Sequence, residues 1–241
     1  MTDTAPARGP LRLKHLTPVD VRTILARDPR LLVPVGTMEQ HGPHLPMGTD
    51  TLLVERLADD LSAEFGVLRA PTVEYGVNRA SRVQYPGNAA VRRKTLHRFM
   101  NDLLGSWEQG GVREFIILTA HGWDPHQEAL STLRTQSARV RAVDIFSIRL
   151  PEGDGPLIHG GEVDTSLLLY VDSSMVRLEA AEDFVPPALR GRGRLPESGP
   201  GSFGRPSLAS VETGRRLYHL IYARVADRVL RSPIGGGHES L

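Results

Sequence analysis

Glu39, His41 and Asp50 lie in one twelve-residue run, Glu39-Gln40-His41-Gly42-Pro43-His44-Leu45-Pro46-Met47-Gly48-Thr49-Asp50, directly after the apolar stretch Leu31 to Gly36. Carboxylate oxygens mixed with imidazole nitrogens suit Zn, Mn or Fe(II). Residues two apart in an extended segment project to the same side, so Glu39 and His41 are predicted to face one point. The Gly-Pro and Pro-Met-Gly punctuation lets the chain fold back and bring Asp50 to them. Taken singly, each residue would suit a polar surface loop, with Thr49 or Asp50 capping the next helix. Joined to two further His-acid clusters, the set points to a metal.

The second cluster, His121-Gly122-Trp123-Asp124, follows the apolar run Glu114 to Ala120, and Gly122 allows close approach of backbone or ligand. The third, His159-Gly160-Gly161-Glu162-Val163-Asp164-Thr165-Ser166, carries two acids two residues apart. Two divalent ions that share a bridging carboxylate need roughly five or six protein ligands. The candidates are Glu39, His41, Asp50, His121 and one acid of the third cluster. His159, left over, suits proton transfer because imidazole titrates near neutrality.

Other chemistries find little support. The chain has no cysteine, which removes thiolate ligands, thiol nucleophiles and disulfides together. It has no Gly-x-Ser-x-Gly elbow, no Walker A sequence and no Gly-x-Gly-x-x-Gly after a strand. Gly191-Arg192-Gly193-Arg194 is too short and isolated to argue for RNA. A net charge of +1 gives no global field for nucleic acid or an anionic membrane, and no stretch approaches membrane-spanning length. Met1 to Pro10 is polar and lacks the apolar core of a signal peptide, so a cytoplasmic protein is expected.

The elements that must position these clusters alternate between strand and helix. Residues 1–12 read as a loose arm, 13–232 as one domain of the 241, and 233–241, with Gly235-Gly236-Gly237, as a loose tail. Helices are predicted over Pro18 to Ala26 (Thr17 as N-cap), Thr51 to Glu64, Arg93 to Gln109, from about Pro125, over Thr165 to Val171 and over Ser210 to Leu230. Strands are predicted over Leu31 to Val35, Val67 to Pro71, Glu114 to Ala120 and Val143 to Ile148, and residues 185–206 read as a long loop. The continuous apolar middle of Glu114 to Ala120 implies burial on both faces. The pattern predicts a single-domain, layered α/β/α fold with a mostly parallel sheet. Ligands in such folds gather beyond the carboxyl ends of the strands, where the first two clusters sit.

The first cluster, Glu39 to Pro46 with Gly48-Thr49-Asp50, resembles the first signature of the creatininase (creatinine amidohydrolase) family. His121-Gly122 is similar to the family's His-Gly-Gly-Asn segment, and His159 to Ser166 to its His-Ala/Gly-Gly-x-x-Glu-Thr-Ser segment. Gly204-Arg205-Pro206-Ser207-Leu208-Ala209-Ser210, with Glu212 and Gly214, is similar to its C-terminal Gly-Asp-Pro-x-x-Ala-Ser-x-x-x-Gly pattern. The resemblance implies a metal-dependent hydrolase of amide-type C–N bonds with two divalent ions. It also implies a homo-oligomer, often a hexamer, and a small-molecule substrate such as a cyclic amide or formamide. By the same resemblance, Glu39 and His121 bind one ion, His41 the other, Asp50 bridges and His159 moves the proton. Asp164 stands at the Glu-Thr-Ser acid and is expected to complete the second site, with Glu162 and Asp124 as alternatives. Trp123 replaces a glycine, and either narrows the pocket and stacks on a flat substrate or packs beneath the following helix. Arg82 stands where the family places a histidine and could bind a peptide carboxylate. A peptidase that trims a precursor peptide in cofactor maturation and a non-catalytic metal- or ligand-binding member are the alternative readings.

Overall fold

The apolar runs at 31–33 and 115–118 form the centre of a five-stranded sheet in the computed structural model, which describes residues 9–79, 85–147, 159–185 and 199–231. The strands are β1 (Leu11–Arg12), β2 (Arg30–Pro34), β3 (Leu68–Arg69), β4 (Glu114–Thr119) and β5 (Arg139–Asp144). Their order is β1-β3-β2-β4-β5, and every pairing is parallel. The helices between them are α1 (Pro18–Arg27), α2 (Thr49–Phe65), α3 (Arg93–Gln109), α4 (Asp124–Ser131), α5 (Glu162–Asp172) and α6 (Val211–Val229).

Alternation along the central strands builds two cores. Leu32, Ile116 and Leu118 face Leu53, Leu57 and Leu61 of α2 and the apolar stripes of α5 and α6. Leu31, Val33, Phe115 and Ile117 face Leu96, Met100 and Leu104 of α3, with α1 and α4 on the same side. Helices thus cover both faces, as the continuous apolar strands require. Gly214 lets α6 cross α5, since a Cβ there would lie 1.8 Å from the Ser166 carbonyl oxygen. Among the described residues no helix is long and apolar enough to cross a membrane.

Several boundaries differ from the sequence expectation. Leu11 and Arg12, expected in the arm, pair in parallel with β3. α2 begins at Thr49, so Asp50 stands in its first turn rather than in the loop before it. α5 begins at Glu162, which puts both third-cluster acids in its first turn. β5 runs over Arg139–Asp144 rather than 143–148; it is an edge strand whose Arg139 and Arg141 are only half-buried, so no apolar run marks it. Residues 1–8, 148–158, 186–198 and 232–241 lie outside the described residues, and with them Arg82, within 80–84, and the Gly235–Gly237 tail.

Candidate metal centre

The carboxyl ends of β2 and β4 and the first turns of α2 and α5 converge on one point. After β2 the chain closes on itself through the Glu39 N–H to the Met47 carbonyl at 2.9 Å, which delivers Asp50 back beside Glu39 and His41. β4 delivers His121 from the neighbouring strand. The first and third clusters pack backbone to backbone: Gly160 has φ +66, and a Cβ there would lie 2.5 Å from the His41 carbonyl oxygen. Only glycine combines that dihedral with that approach.

Asp50 is the hub. Its Oδ1 lies 3.3 Å from His41 Nε2 and its Oδ2 lies 3.1 Å from His121 Nδ1. Glu39 Oε2 lies 3.3 Å from the same His121 nitrogen. In each imidazole the other nitrogen is committed as a donor. His41 Nδ1–H donates to the Glu39 carbonyl at 3.0 Å, and His121 Nε2–H to the Val77 carbonyl at 3.1 Å. On a neutral ring the nitrogen facing the carboxylate carries a lone pair, so at these distances a cation must lie between them, either the proton that makes the ring an imidazolium or a metal ion. Glu39, His41, Asp50 and His121 are at most 4% exposed, so bulk water cannot satisfy them.

Supporting contacts fix the carboxylates. Thr37 Oγ1 donates to Asp50 Oδ2 at 2.6 Å, and the Arg79 backbone N–H donates to Glu39 Oε1 at 2.9 Å. Glu39 Oε2 is buried without a hydrogen-bond partner. Ligand atoms of Glu39, Asp50 and His121 all fall within 4.8 Å of one another, a donor set that fits a divalent ion. The tied imidazole nitrogens are the outer contacts that orient metal-binding histidines.

Titration follows from the same geometry. Burial opposes charge on His41, but the Asp50 carboxylate and its hydrogen bond overcome it and push the ring up to about 10. Burial likewise opposes charge on His121, and hydrogen bonding and attraction to Asp50 raise it. Asp50 stays well below the usual carboxylate range despite burial, held there by His41 and His121. A metal ion that binds between these rings and Asp50 must displace their protons, so its affinity rises with pH.

Asp164 and His159 line the same cavity, of about 190 Å³, with His41, Asp50, His121 and Arg79. Asp164 Oδ2 accepts the Gly160 N–H at 2.7 Å, and burial, opposed by His41, pushes its carboxyl up to about 6. The His159 ring lies 4.4 Å from that of His41. Its partner is Gln40, whose Oε1 accepts the Gly42 N–H at 2.9 Å and whose Nε2 donates to the Gly201 carbonyl at 2.9 Å. That amide is thereby oriented, and its Nε2 also donates to His159 Nε2 at 3.1 Å. The His159 proton accordingly sits on Nδ1. Burial, followed by the charges of His41 and Arg79, holds this ring well below the usual histidine range.

Other candidates fall elsewhere. Trp123 is half-buried against the α3–α4 core, and its ring lies beneath the Arg79 guanidinium at 5.5 Å. Asp124 is exposed in the first turn of α4, and Glu162 is half-buried in the first turn of α5; neither lines the cavity. Sequence reasoning missed Thr37, Gln40, Arg79 and two buried histidines. His44 Nε2 lies 2.9 Å from Thr165 Oγ1, beneath the third cluster. His126 packs edge-on to His121 at 5.0 Å, its Nδ1 accepting the Val77 N–H at 3.2 Å. Burial and the nearby His121 push His126 down to about 3, so it is a neutral strut. Gln40 and His44 lie inside the first cluster and were visible there; Thr37, Arg79 and His126 carry no spacing signal.

Comparison with known proteins follows the same line. The family model described as creatininase, creatinine amidohydrolase, matches residues 14–229. The 3-dehydro-scyllo-inosose hydrolase of Thermotoga maritima is 26% identical over 201 residues, 76% of this chain, and the chain spans 63% of that protein's length. The mycofactocin precursor peptide peptidase of Mycolicibacterium smegmatis is 27% identical over 218 residues, 84% of this chain and 85% of that one. Among solved structures, a mutant creatininase of Zn-Zn type superposes with a TM-score of 0.80 at 23% identity, covering 91% of this chain and 97% of that chain.

Proposed function

Because this chain belongs to the creatininase family of metal-dependent hydrolases acting on C–N bonds, we propose that it hydrolyses the amide bond of a small substrate at the Asp50 centre. Glu39, Asp50 and His121 would hold one divalent ion, and His41, Asp50 and Asp164 a second. The observation that carries this reading is Asp50, whose two carboxylate oxygens each face a different imidazole nitrogen. A cavity of about 190 Å³ is below the usual range for drug-sized ligands and suits a small molecule or the end of a peptide.

A divalent pair supplies a water ionised near neutral pH and polarises the carbonyl. The chain's own residues do the rest. Thr37 fixes the rotation of the Asp50 carboxylate, and the Arg79 backbone fixes that of Glu39. His159 enters neutral, with Nε2 as its basic atom. Nε2 would take the proton given up by the attacking water, displacing the Gln40 N–H, and pass it to the leaving nitrogen as the C–N bond breaks. Cations beside His159 would depress its affinity for that proton further, which favours rapid transfer onward.

Relatives of comparable likeness act, by name, on an inosose and on a precursor peptide. The peptidase reading is favoured by the more complete match, 85% of that relative's length. Zinc and manganese are the ions to load first, since solved creatininases carry those designations. Light scattering tests the homo-oligomer that the resemblance implies.

Elemental analysis of protein purified away from chelators, beside His121→Ala and Asp50→Ala, tests the centre. Two ions per chain are expected, with a clear loss in both variants while the circular dichroism stays folded. Undiminished metal content in the variants would refute the ligand set. The loaded protein is then screened against small amides and short peptides.

A further inference from the structure

Arg79 brings into the cavity a positive charge that the metal chemistry does not use. Its backbone N–H is pinned to Glu39 Oε1, so its Cα is fixed beside the metal centre. Its guanidinium rests on the face of Trp123, 5.5 Å from the ring centroid, and the residue lines the cavity with His159 and Asp164. A guanidinium held by stacking keeps its in-plane N–H groups free, and these match a carboxylate two at a time. Among the described residues none offers a carboxylate within ion-pair distance of the Arg79 guanidinium. The acids of the cavity instead face His41, His121 and the Gly160 backbone.

The balance of charge points the same way. Two divalent ions more than offset Glu39, Asp50 and Asp164, and Arg79 adds a further positive charge inside a half-buried cavity. A bound anion relieves that excess.

We propose that Arg79, braced on Trp123, anchors a carboxylate of the substrate, so that this chain acts on amides carrying a free carboxylate close to the scissile bond. The proposal rests on the hydrolase reading above for its reaction and its charge balance, whereas the contact of Arg79 with Trp123 is independent of that reading. Trp123 then acts as a positioning residue through Arg79.

N-acetylglycine and N-acetylglycinamide are the probes, nearly equal in shape and different in charge. Each is titrated into metal-loaded protein by calorimetry, and cleavage is followed by mass spectrometry in the same samples. The wild type is expected to bind the acid at least about tenfold more tightly than the amide. Arg79→Gln should weaken the acid roughly 10- to 100-fold, the loss expected of a hydrogen bond to a charged group, and leave the amide within about twofold. Arg79→Lys should keep part of the preference. Trp123→Ala should lower the preference with metal content unchanged, a readout that separates bracing from folding. Equal preference in wild type and Arg79→Gln would overturn the anchor and put the carboxylate on the ions instead. Absence of any preference, or of any binding of the acid, would overturn it too. Arg79-dependent binding without cleavage would uphold the anchor and count against hydrolysis, whereas equal cleavage of both probes would do the reverse.

Discussion

Thr37→Val is the sharpest test of whether Asp50 serves a metal or merely neutralises two histidines. Thr37 is fully buried, and its hydroxyl donates to Asp50 Oδ2 at 2.6 Å. The carbonyl of Thr37 is engaged separately, accepting from Thr51 Oγ1 at 3.0 Å. Valine keeps the shape and deletes one charge-assisted hydrogen bond. Such a bond contributes about 1.5–3 kcal/mol. Expressed wholly in metal binding, that is roughly a 10- to 150-fold rise in Kd, in line with the 10- to 100-fold cost of removing a contact that orients a ligand. Competition against a chelator of known affinity measures it directly, with thermal denaturation of the metal-free and loaded forms alongside. The expected result is weaker metal binding and near-normal turnover once the ion is saturating. A lowered Tm of the metal-free protein with unaltered metal affinity would refute the reasoning, because Asp50 would then be a structural counter-ion.

Gln40→Leu should lower turnover about 100-fold, the lower end for a proton-transfer group, with metal content unchanged; loss of metal would mean instead that the amide holds the whole loop. Gln40→Glu places a negative charge 3.1 Å from His159 Nε2 and should move the acidic limb of the rate profile to higher pH. Glu108→Gln addresses the fold. That carboxylate accepts backbone hydrogen bonds from Gln136, Ser137 and Ala138 at 2.7–2.9 Å, which fasten the turn before β5. The Gln136 backbone bond and its neighbours hold the Glu108 carboxyl down to about 2 from 4.5. A depressed folded value means stabilisation that is full above the unfolded value and disappears as pH falls through the folded one. The wild type should therefore lose Tm between pH 4.5 and 2. The glutamine variant should be less stable at neutral pH and nearly flat over that window; a parallel acid response in both would exclude Glu108 as a source.

The sheet was legible where strands are buried on both faces. Leu31 to Val33 and Phe115 to Leu118 have no polar position to interrupt them, and both are central strands. The edges were less legible than the interior, where β3 falls inside the predicted Val67 to Pro71. β1 is two residues long and carries Arg12, whose charge is met by Asp59. In β5 Arg139 and Arg141 alternate with Val140 and Ala142, so no continuous apolar run marks the strand, and it was placed several residues late. The first turns of α2 and α5 were missed because their leading residues, Thr49-Asp50 and Glu162-Val163-Asp164, read as loop chemistry.

The site divides along the same physical line. Glu39, His41, Asp50 and His121 are legible as candidate ligands because ligand chemistry restricts residue type, and because strand ends and glycines fix where a ligand can stand. The residues that orient them obey no such restriction. Any donor satisfies Asp50 Oδ2, and any carbonyl satisfies a histidine N–H, as Val77 does for His121. Gln40 reaches His159 and the Gly201 carbonyl from 119 and 161 residues away in sequence, a contact that only the packed third cluster creates. Trp123 is the instructive case. Read alone, it was either a pocket wall or a core residue; in the fold it packs against the core and also carries Arg79 on its outer face. Its role therefore resides in the pair, and the charge selectivity of the cavity follows from the contact between Arg79 and Trp123 more than from either residue type.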